Sequence, residues 1–256
     1  MFALVTGASS GIGRDIAKEL AKRGYDIIVV ARNKEKLNDI KKQIEKRYKV
    51  KVCVEVCDVS IKENCKNLYE KVVKKYGRVQ VLVNNAGFGT CGEFNETDLD
   101  KELQMIDTNI TAYHILTKLF LKDMVKRDKG YILNVASISG FMPGPLMATY
   151  YSSKAYIVRL TQAIRQELVM QGSNVTISAL CPGPVKTNFN KVADVKFYIP
   201  GKSSEYVARY AVKKMFRNKI LIFPGLSIWI SRLLAKILPD QLMAFFCYFL
   251  QKRKIQ

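Results

Sequence analysis

Short apolar runs recur along the chain and alternate with longer segments whose apolar residues follow a helical period. The continuous run Ile27–Val30 indicates a strand buried on both faces, whereas the alternation of Val50, Val52, Val54 and Val56 indicates a strand with one more polar face. Seven runs predict strands: Phe2–Thr6, Ile27–Ala31, Val50–Cys57, Val79–Asn84, Tyr131–Ala136, Val175–Cys181 and Ile220–Phe223. The helical segments between them favour a parallel sheet with helices on both faces.

This alternation predicts one Rossmann-type, doubly wound α/β domain of about seven strands over residues 1–225. Two segments depart from it. Residues 183–203, which begin in Pro182-Gly183-Pro184, form a connection long enough to be a lid over a ligand. Residues 226–256 follow the last predicted strand and indicate an additional apolar and basic helical tail.

Composition narrows the classes of function. The chain is 48% hydrophobic, enough for a sizeable core, and the net charge of +20 suggests an anionic partner such as a phosphate cofactor, an acidic membrane or nucleic acid. From Lys186 onward there are 14 basic and three acidic residues, so the excess is concentrated at one end. Six cysteines without a CxxC pair and the single His114 indicate no metal site. No recognised nucleic-acid motif is present, and that partner is not expected.

A glycine-rich turn joins the first strand to the first helix. In Thr6–Gly13 the small residues would let backbone N–H groups approach a pyrophosphate at the positive end of the helix. At the end of the second strand, where an acidic residue would bind the adenosine ribose, the chain has Arg32 and Asn33. An Arg there suits a 2′-phosphate, so NADP(H) is predicted over NAD(H), with a solvated Arg as the alternative.

Tyr150 and Lys154 are four residues apart, which places them on one face of a helix; Tyr151 lacks this spacing. A phenol with an ordinary pKa near 10 is a poor acid or base at neutral pH. A neighbouring ammonium favours the phenolate, so the pair predicts that the pKa of Tyr150 is lowered toward the working range.

These motifs together resemble the compact branch of the short-chain dehydrogenase/reductase family, over residues 1 to about 225. The family's TGxxxGxG is matched at Thr6–Gly13 and its YxxxK at Tyr150–Lys154. Asp58-Val59, Asn84-Asn85-Ala86-Gly87 and Pro182-Gly183 follow the third, fourth and sixth predicted strands, as the adenine, NNAG and PG motifs do in that family.

The resemblance implies a catalytic set of Ser137, Tyr150, Lys154 and Asn109. Ser137 lies thirteen residues before Tyr150, a spacing that favours it over its rival Ser139. Asn109 lies within an apparent helix from Leu99 to Lys122, where a local bend without catalytic role is the alternative. The predicted cofactor contacts are Gly7, Ser9, Ser10, Gly11, Ile12, Gly13, Arg32, Asn33, Asp58, Val59, Asn85, Ala86, Gly87, Tyr150, Lys154, Pro182, Gly183, Val185 and Thr187.

The implied activity is an NADP(H)-preferring oxidoreductase that interconverts a carbonyl and a secondary alcohol, with Tyr150 as general acid or base and NAD(H) as a second cofactor. Apolar candidate walls at Phe88–Phe94, Phe141–Met147 and Asn188–Lys202 suit a lipophilic ketone, ketosteroid or ketoacyl chain. The alternatives are a nucleotide-sensing protein without turnover, and a lyase or epimerase on the same fold.

The tail has two predicted roles of equal weight. Leu226–Leu238 and Leu242–Leu250 are rich in apolar residues, but Arg232, Lys236 and Pro239-Asp240 interrupt them, so the tail falls short of a transmembrane span. One role is a peripheral membrane anchor, and the other is a roof over the pocket or a subunit interface. A first strand that begins at Phe2 leaves no room for a signal peptide, which predicts a cytoplasmic protein. The family resemblance implies a homodimer or homotetramer.

Overall fold

The protein is described here by a computed structural model, which covers residues 1–187, 189 and 201–255. Its main sheet has seven parallel strands in the order β3-β2-β1-β4-β5-β6-β9. The strands are β1 (Phe2–Thr6), β2 (Asp26–Ala31), β3 (Val52–Val56), β4 (Val79–Asn84), β5 (Tyr131–Val135), β6 (Thr176–Leu180) and β9 (Leu221–Ile222). The predicted doubly wound fold is confirmed, with all seven strands close to their expected positions.

Helices follow the strands and cover both faces of the sheet. They are α1 (Gly11–Ala21), α2 (Lys34–Tyr48), α3 (Lys62–Tyr76), α4 (Leu99–Ile106), α5 (Ala112–Lys126), α6 (Ala148–Met170), α7 (Ser204–Met215), α8 (Leu226–Ile237) and α9 (Asp240–Ile255). Two apolar clusters lie on opposite faces of the sheet, one around Val5, Val29 and Leu20 and the other around Leu4, Ile28 and Phe120. A sheet that is buried on both faces explains why β2 is a continuous apolar run.

The part of the chain predicted as a lid lies mostly outside the described residues. At its two ends, β7 (Val185–Lys186) pairs in parallel with β8 (Lys202–Ser203). Residues 188 and 190–200 lie outside the described part of the chain. Over these residues, the predicted lid 183–203 and the predicted pocket wall Asn188–Lys202 therefore remain predictions. Within the described residues, no helix is both long enough and apolar enough to cross a bilayer.

The prediction of a more polar face on β3 is wrong in one respect. Helix α3 covers part of that face, so a charged residue on it is buried. Glu55 is 2% exposed although it belongs to the more polar set, whereas Val56 at the end of the strand is exposed. The carboxylate of Glu55 accepts hydrogen bonds from Tyr76 and Lys75 and pairs with Lys71 at 2.6 Å. Period-two alternation identifies the two faces but not which helix packs over each.

A chain of buried amides and hydroxyls fastens the centre of the sheet to the helices. Asn84 Nδ2 donates to Asn134 Oδ1 at 2.9 Å and to Thr117 Oγ1 at 3.0 Å, and Asn134 Nδ2 donates to Thr161 Oγ1 at 3.0 Å. These four residues belong to β4, β5, α5 and α6, and all four are buried. Because these side chains satisfy one another away from water, removal of Asn134 takes one hydrogen bond from each of the other three.

We therefore predict that Asn134→Leu lowers the free energy of unfolding by about 2–3 kcal/mol, since Thr161 loses its partner and Asn84 and Thr117 each lose one of two. Urea unfolding followed by circular dichroism measures this change. Asn95→Leu is the matched control, because Asn95 is exposed and donates to its exposed neighbour Glu96; it should change stability by less than about 0.5 kcal/mol. Equal losses in the two variants would contradict a structural role for the buried amides.

Candidate active site

The loop between β1 and α1 has room for backbone only. Gly7 and Gly11 have φ angles of +62° and +54°, which disfavour residues with a Cβ. A Cβ on Gly13 would lie 2.5 Å from the carbonyl oxygen of Gly7 and 2.3 Å from Asn85 Nδ2. The glycines are therefore required by the shape of the loop itself, as well as by any ligand that approaches it.

The N-terminus of α1 presents its backbone donors without a side-chain cap. Ser10 occupies the N-cap position but makes no capping hydrogen bond, and the first turn contains no acidic residue. Helix α2, by contrast, is capped by Asn33, whose Oδ1 accepts from Lys36 N. An uncapped helix start behind a glycine loop suits a phosphate group. Asn33, one of the predicted cofactor contacts, uses its side-chain oxygen as this cap.

The predicted NNAG segment holds the glycine loop in place. Asn85 N donates to Thr6 Oγ1 at 2.9 Å, and Asn85 Nδ2 donates to the carbonyl oxygens of Thr6 and Gly7. Ala86 N also donates to Thr6 Oγ1. The loop after β4 is thus tied to the loop after β1 at the point where the strand order changes direction, which is where doubly wound sheets bind ligands.

A groove of about 420 Å³ lies beside the ends of β2 and β3 and is lined by Arg32, Asp58, Asn64, Asn67 and Lys71 among others. Arg32 Nη1 lies 3.7 Å from Asp58 Oδ2, and the Arg32 side chain is 71% exposed. Asp58 Oδ1 also accepts from Ser60. Because the guanidinium faces solvent, it is accessible to an anion. Val59, the neighbour of Asp58, is buried.

Tyr150 and Lys154 are buried together on α6. Lys154 Nζ donates to the carbonyl oxygen of Val135 at 3.1 Å and lies 5.4 Å from the ring centre of Tyr113. Its distance to the ring centre of Tyr150 is 5.8 Å. The hydroxyl of Tyr113 donates to the same Val135 oxygen. The end of β5 therefore supplies the anchoring acceptor for the ammonium.

The two candidate serines are distinguished by their partners. The hydroxyl of Ser137 acts on the phenol of Tyr150, whose pKa it lowers in part, whereas the hydroxyl of Ser139 acts in the same way on Tyr151. Ser137 Oγ also accepts from Ser139 N at 3.1 Å, which caps a short 3₁₀ turn at Ile138–Phe141. The structure thus brings Ser137 to the phenol of Tyr150, as the sequence spacing predicts.

Asn109 lies in a π turn, Asp107–Thr111, between α4 and α5. Asn109 Oδ1 accepts from Phe88 N at 3.1 Å, and Nδ2 donates to Phe88 O at 2.9 Å and to Ser153 Oγ at 3.1 Å. A Cβ added to Gly87 would lie 2.8 Å from Asn109 Oδ1 and 3.5 Å from Lys154 Nζ. The apparent helix Leu99–Lys122 is thus interrupted by a π turn at Asn109, which is the local bend given as the alternative, and Asn109 and Lys154 both approach Gly87.

The pKa values correct one expectation from the sequence. Burial raises the pKa of Tyr150 to about 12, and its hydrogen bond with Ser137 opposes this only in part. Burial also lowers the pKa of Lys154 to about 8. The prediction that the ammonium lowers the pKa of Tyr150 is wrong for the protein alone, because Lys154 points to the Val135 carbonyl and both groups are desolvated.

The segment after β6 closes the other side of the site. The carbonyl oxygen of Pro182 accepts from Ile138 N at 2.9 Å. A Cβ on Gly11 would lie 3.0 Å from the Thr187 methyl group, so Thr187 faces the glycine loop. Gly183 instead packs under Ile228 of α8. Of the predicted contacts here, Thr187 faces the glycine loop, Val185 packs against the apolar cluster around Val5, and Gly183 faces the tail.

The apolar side of the site is built around Tyr150. Met105, Met147 and Tyr151 form a buried cluster with it, and Phe88, Cys91, Met142 and Phe189 pack against that cluster. Four of these residues belong to the predicted walls Phe88–Phe94 and Phe141–Met147. Sequence reasoning missed Met105, Tyr113 and Gln251, which donates to the hydroxyl of Tyr151. Tyr113 lies one turn after Asn109, a spacing that could have identified it.

Comparison with known proteins gives a consistent result. A family model described as short chain dehydrogenase matches residues 1–196. An uncharacterised oxidoreductase of Staphylococcus epidermidis is 35% identical over 192 residues, 75% of this chain and 81% of that protein. A very-long-chain 3-oxoacyl-CoA reductase of Danio rerio is 37% identical over 205 residues. That match covers 78% of this chain but 64% of the fish protein.

Solved structures with the same fold include a short-chain dehydrogenase from Sphingobium yanoikuyae in complex with NADPH. It is 26% identical, with a TM-score of 0.83 over 92% of this chain and 93% of that chain. The bulky-bulky ketone specific alcohol dehydrogenase from Comamonas testosteroni is also 26% identical, with a TM-score of 0.79 over 92% and 91% of the two chains.

We predict that Lys154→Met stabilises the protein by about 1–3 kcal/mol at pH 7, because a buried charge is replaced by an apolar chain of similar size. The Val135 carbonyl keeps its bond from Tyr113. The pKa of Lys154 falls from 10.5 to about 8 on folding. Below pH 8 the folded protein carries the buried charge, so the substitution gives its full gain in the free energy of unfolding. As the pH rises from 8 to 10.5 this gain disappears, because the folded wild type no longer carries the charge.

Urea unfolding of both proteins across this pH range measures the difference. Lys118→Met, a substitution on the outer surface of α5, is the control and should show neither the gain nor its pH dependence. A Lys154→Met protein that is less stable than the wild type at pH 7 would contradict the interpretation that the buried ammonium destabilises the folded state.

Proposed function

The chain belongs to the short-chain dehydrogenase/reductase family and is an NAD(P)-dependent oxidoreductase, and from this premise we propose that it reduces a lipophilic ketone to a secondary alcohol with NADPH. The observation that carries the proposal is the position of Tyr150, which lies beside Ser137 and against an apolar cluster. Its phenol carries a proton at neutral pH and can donate it to a carbonyl oxygen as negative charge develops there. The reductive direction follows from the predicted preference for NADPH.

The residues present fit a dinucleotide. The uncapped start of α1 and the glycine loop suit a pyrophosphate, and the Arg32 groove is adjacent to them at the ends of β2 and β3. Gly7, Ser9, Ser10, Gly11, Ile12 and Gly13 would hold the phosphates, with Asp58, Val59, Asn85, Ala86 and Gly87 beside them and Pro182, Gly183, Val185 and Thr187 at the opposite end. When bound, the nicotinamide supplies the hydride that reduces the carbonyl carbon.

The side chains of the protein perform the remaining chemistry. Ser137 donates a hydrogen bond to the substrate oxygen and holds it beside Tyr150. Tyr150 transfers its phenolic proton to that oxygen as negative charge develops there. Lys154 then favours the resulting phenolate, because a cation close to an anion in a dry site is strongly stabilising. Asn109, fixed by Phe88, lines the route by which a proton returns to Tyr150.

A preference for NADP(H) is supported by Arg32. Its guanidinium is exposed and forms one long ion pair with Asp58, so a 2′-phosphate would find a bidentate donor there. The structural neighbours include one in complex with NADPH and one in complex with NAD. NAD(H) is therefore the alternative cofactor.

A lipophilic substrate is supported by the methionine and aromatic side chains around Tyr150. Among the similar proteins, one is named a reductase of very-long-chain 3-oxoacyl-CoA and another is described as specific for bulky ketones. We extend both classes to this chain as candidate substrates.

A cytoplasmic location and a homodimer or homotetramer complete the proposal. Light scattering after size-exclusion chromatography tests the oligomeric state.

Tyr150→Phe should lower kcat by about 100- to 10,000-fold, because the carbonyl oxygen loses its acid, while NADPH binding by titration calorimetry is unchanged. Tyr151→Phe is the matched control, since it removes a neighbouring phenol bonded to Gln251, and it should retain most activity. Equal activity in the two variants would contradict the assignment. A wild type that binds NADPH but reduces no ketone in a broad panel would favour the nucleotide-sensing alternative.

Arg32→Ala should lower kcat/KM for NADPH by about 10- to 100-fold and leave kcat/KM for NADH unchanged, because only NADPH carries the phosphate that Arg32 would bind. Arg159→Ala removes an exposed arginine on α6 and should change neither value. Parallel steady-state assays with the two cofactors measure the effect. A proportional loss with both cofactors would show that Arg32 is structural.

A further inference from the structure

Helices α8 and α9 carry a large apolar surface that faces outward. Among the described residues, half of the large apolar side chains that are exposed belong to these two helices. We call this set the apolar tail surface; it consists of Leu226, Trp229, Ile230, Leu233, Leu234, Ile237, Leu242, Phe245, Phe246, Phe249 and Leu250. Contiguous apolar exposure of this kind marks a binding surface, since isolated exposed residues are otherwise the rule.

The orientation of α8 is opposite to that of an ordinary surface helix. Its inner side carries Ile228 against Gly183 and Arg232, whose guanidinium lies 5.8 Å from the ring of Phe141. Trp229, Ile230, Leu233 and Leu234 are 37–49% exposed. A surface helix normally buries its apolar stripe and exposes its charges. In α8 an arginine is turned inward while the leucines and the tryptophan are outside.

The inner side of α9 explains why this orientation is fixed. Met243, Cys247 and Gln251 are spaced by four residues and are buried, with Gln251 donating to the hydroxyl of Tyr151. The three phenylalanines at 245, 246 and 249 occupy the other side and contact one another at ring distances of 4.9 and 5.9 Å. A polar contact at the candidate active site therefore holds α9 with its aromatic side outward.

The positive charge of the protein indicates which partner binds the apolar tail surface. The tail contains five basic residues and one acidic residue, and the whole chain carries +20. A second copy packed on this surface would bring the same positive charge to it, which opposes its use as a subunit interface, whereas an anionic lipid surface attracts it. Trp229, the single tryptophan of the chain, is of the residue type that prefers the boundary between lipid and water.

We propose that the apolar tail surface inserts α8 and α9 into the interface of a membrane that contains anionic lipids, with the helices in the membrane plane. Both helices are too short and too interrupted to span a bilayer, and an in-plane position needs only one apolar side. The membrane then covers the outer side of α9 while the inner side remains against Tyr151. The two roles considered for the tail, anchor and roof, are thereby performed by opposite sides of the same helices.

The fluorescence of Trp229 tests the proposal without any assay of activity. Vesicles of phosphatidylcholine with about one third phosphatidylglycerol should shift its emission to shorter wavelength, and lipids brominated on their acyl chains should quench it. Vesicles of phosphatidylcholine alone, or added salt, should weaken the binding at least about tenfold, because the electrostatic attraction is lost.

The triple variant Phe245→Ser, Phe246→Ser, Phe249→Ser keeps Trp229 and should reduce binding to the anionic vesicles by at least about tenfold. The matched control, Ile61→Ser, Val169→Ser, Met170→Ser, removes three exposed apolar side chains elsewhere and should bind like the wild type. Circular dichroism establishes that both variants are folded. No quenching of Trp229 in the wild type, together with a dimer that the phenylalanine variant converts to a monomer, would overturn the proposal in favour of a subunit interface.

Discussion

Lys154 is buried, with 5% of the residue exposed. Its ammonium lies beside the rings of Tyr113 and Tyr150 and the end of β5. Placing a cation there costs free energy, and its lowered pKa expresses that cost. The surrounding structure supplies the compensation, with the carbonyl oxygen of Val135 at 3.1 Å and the face of the Tyr113 ring at 5.4 Å. A buried charge of this kind is typical of a catalytic group, because an apolar side chain at the same position would cost less free energy to bury.

The rest of the site depends on the topology of the sheet. In the order β3-β2-β1-β4-β5-β6-β9, the strands β1 and β4 are adjacent although their connections leave in opposite directions. The loops after these strands meet there, and Asn85 ties them together through Thr6 and Gly7. The loops after β5 and β6 lie on the same edge, bridged by the hydrogen bond from Ile138 N to Pro182 O. Ser137, Lys154 and the glycine loop are therefore positioned by one sheet edge.

Most of the architecture could be predicted from the sequence, because seven apolar runs with glycine turns at their ends leave few arrangements for the chain. The placement of Tyr150 and Lys154 on one helical face followed from their spacing, whereas Ser137 was implied by the resemblance to the family. The burial of Glu55 could not be predicted, since alternation does not reveal which helix covers a face. The raised pKa of Tyr150 was missed for a similar reason: desolvation depends on all the atoms around a group, whereas the sequence shows only the neighbouring ammonium. The outward orientation of the tail likewise depends on contacts between distant residues, such as Gln251 with Tyr151.

Tyr150 is the proposed proton donor to a carbonyl oxygen beside a bound nicotinamide. The most direct test of this role uses NADPH deuterated at the position of the nicotinamide ring that transfers hydride, with a panel of bulky and long-chain ketones and mass spectrometry of the products. We expect an alcohol that carries one deuterium on the carbinol carbon, formed by the wild type and not by Tyr150→Phe. Deuterated alcohol formed at equal rates by the two proteins would contradict it.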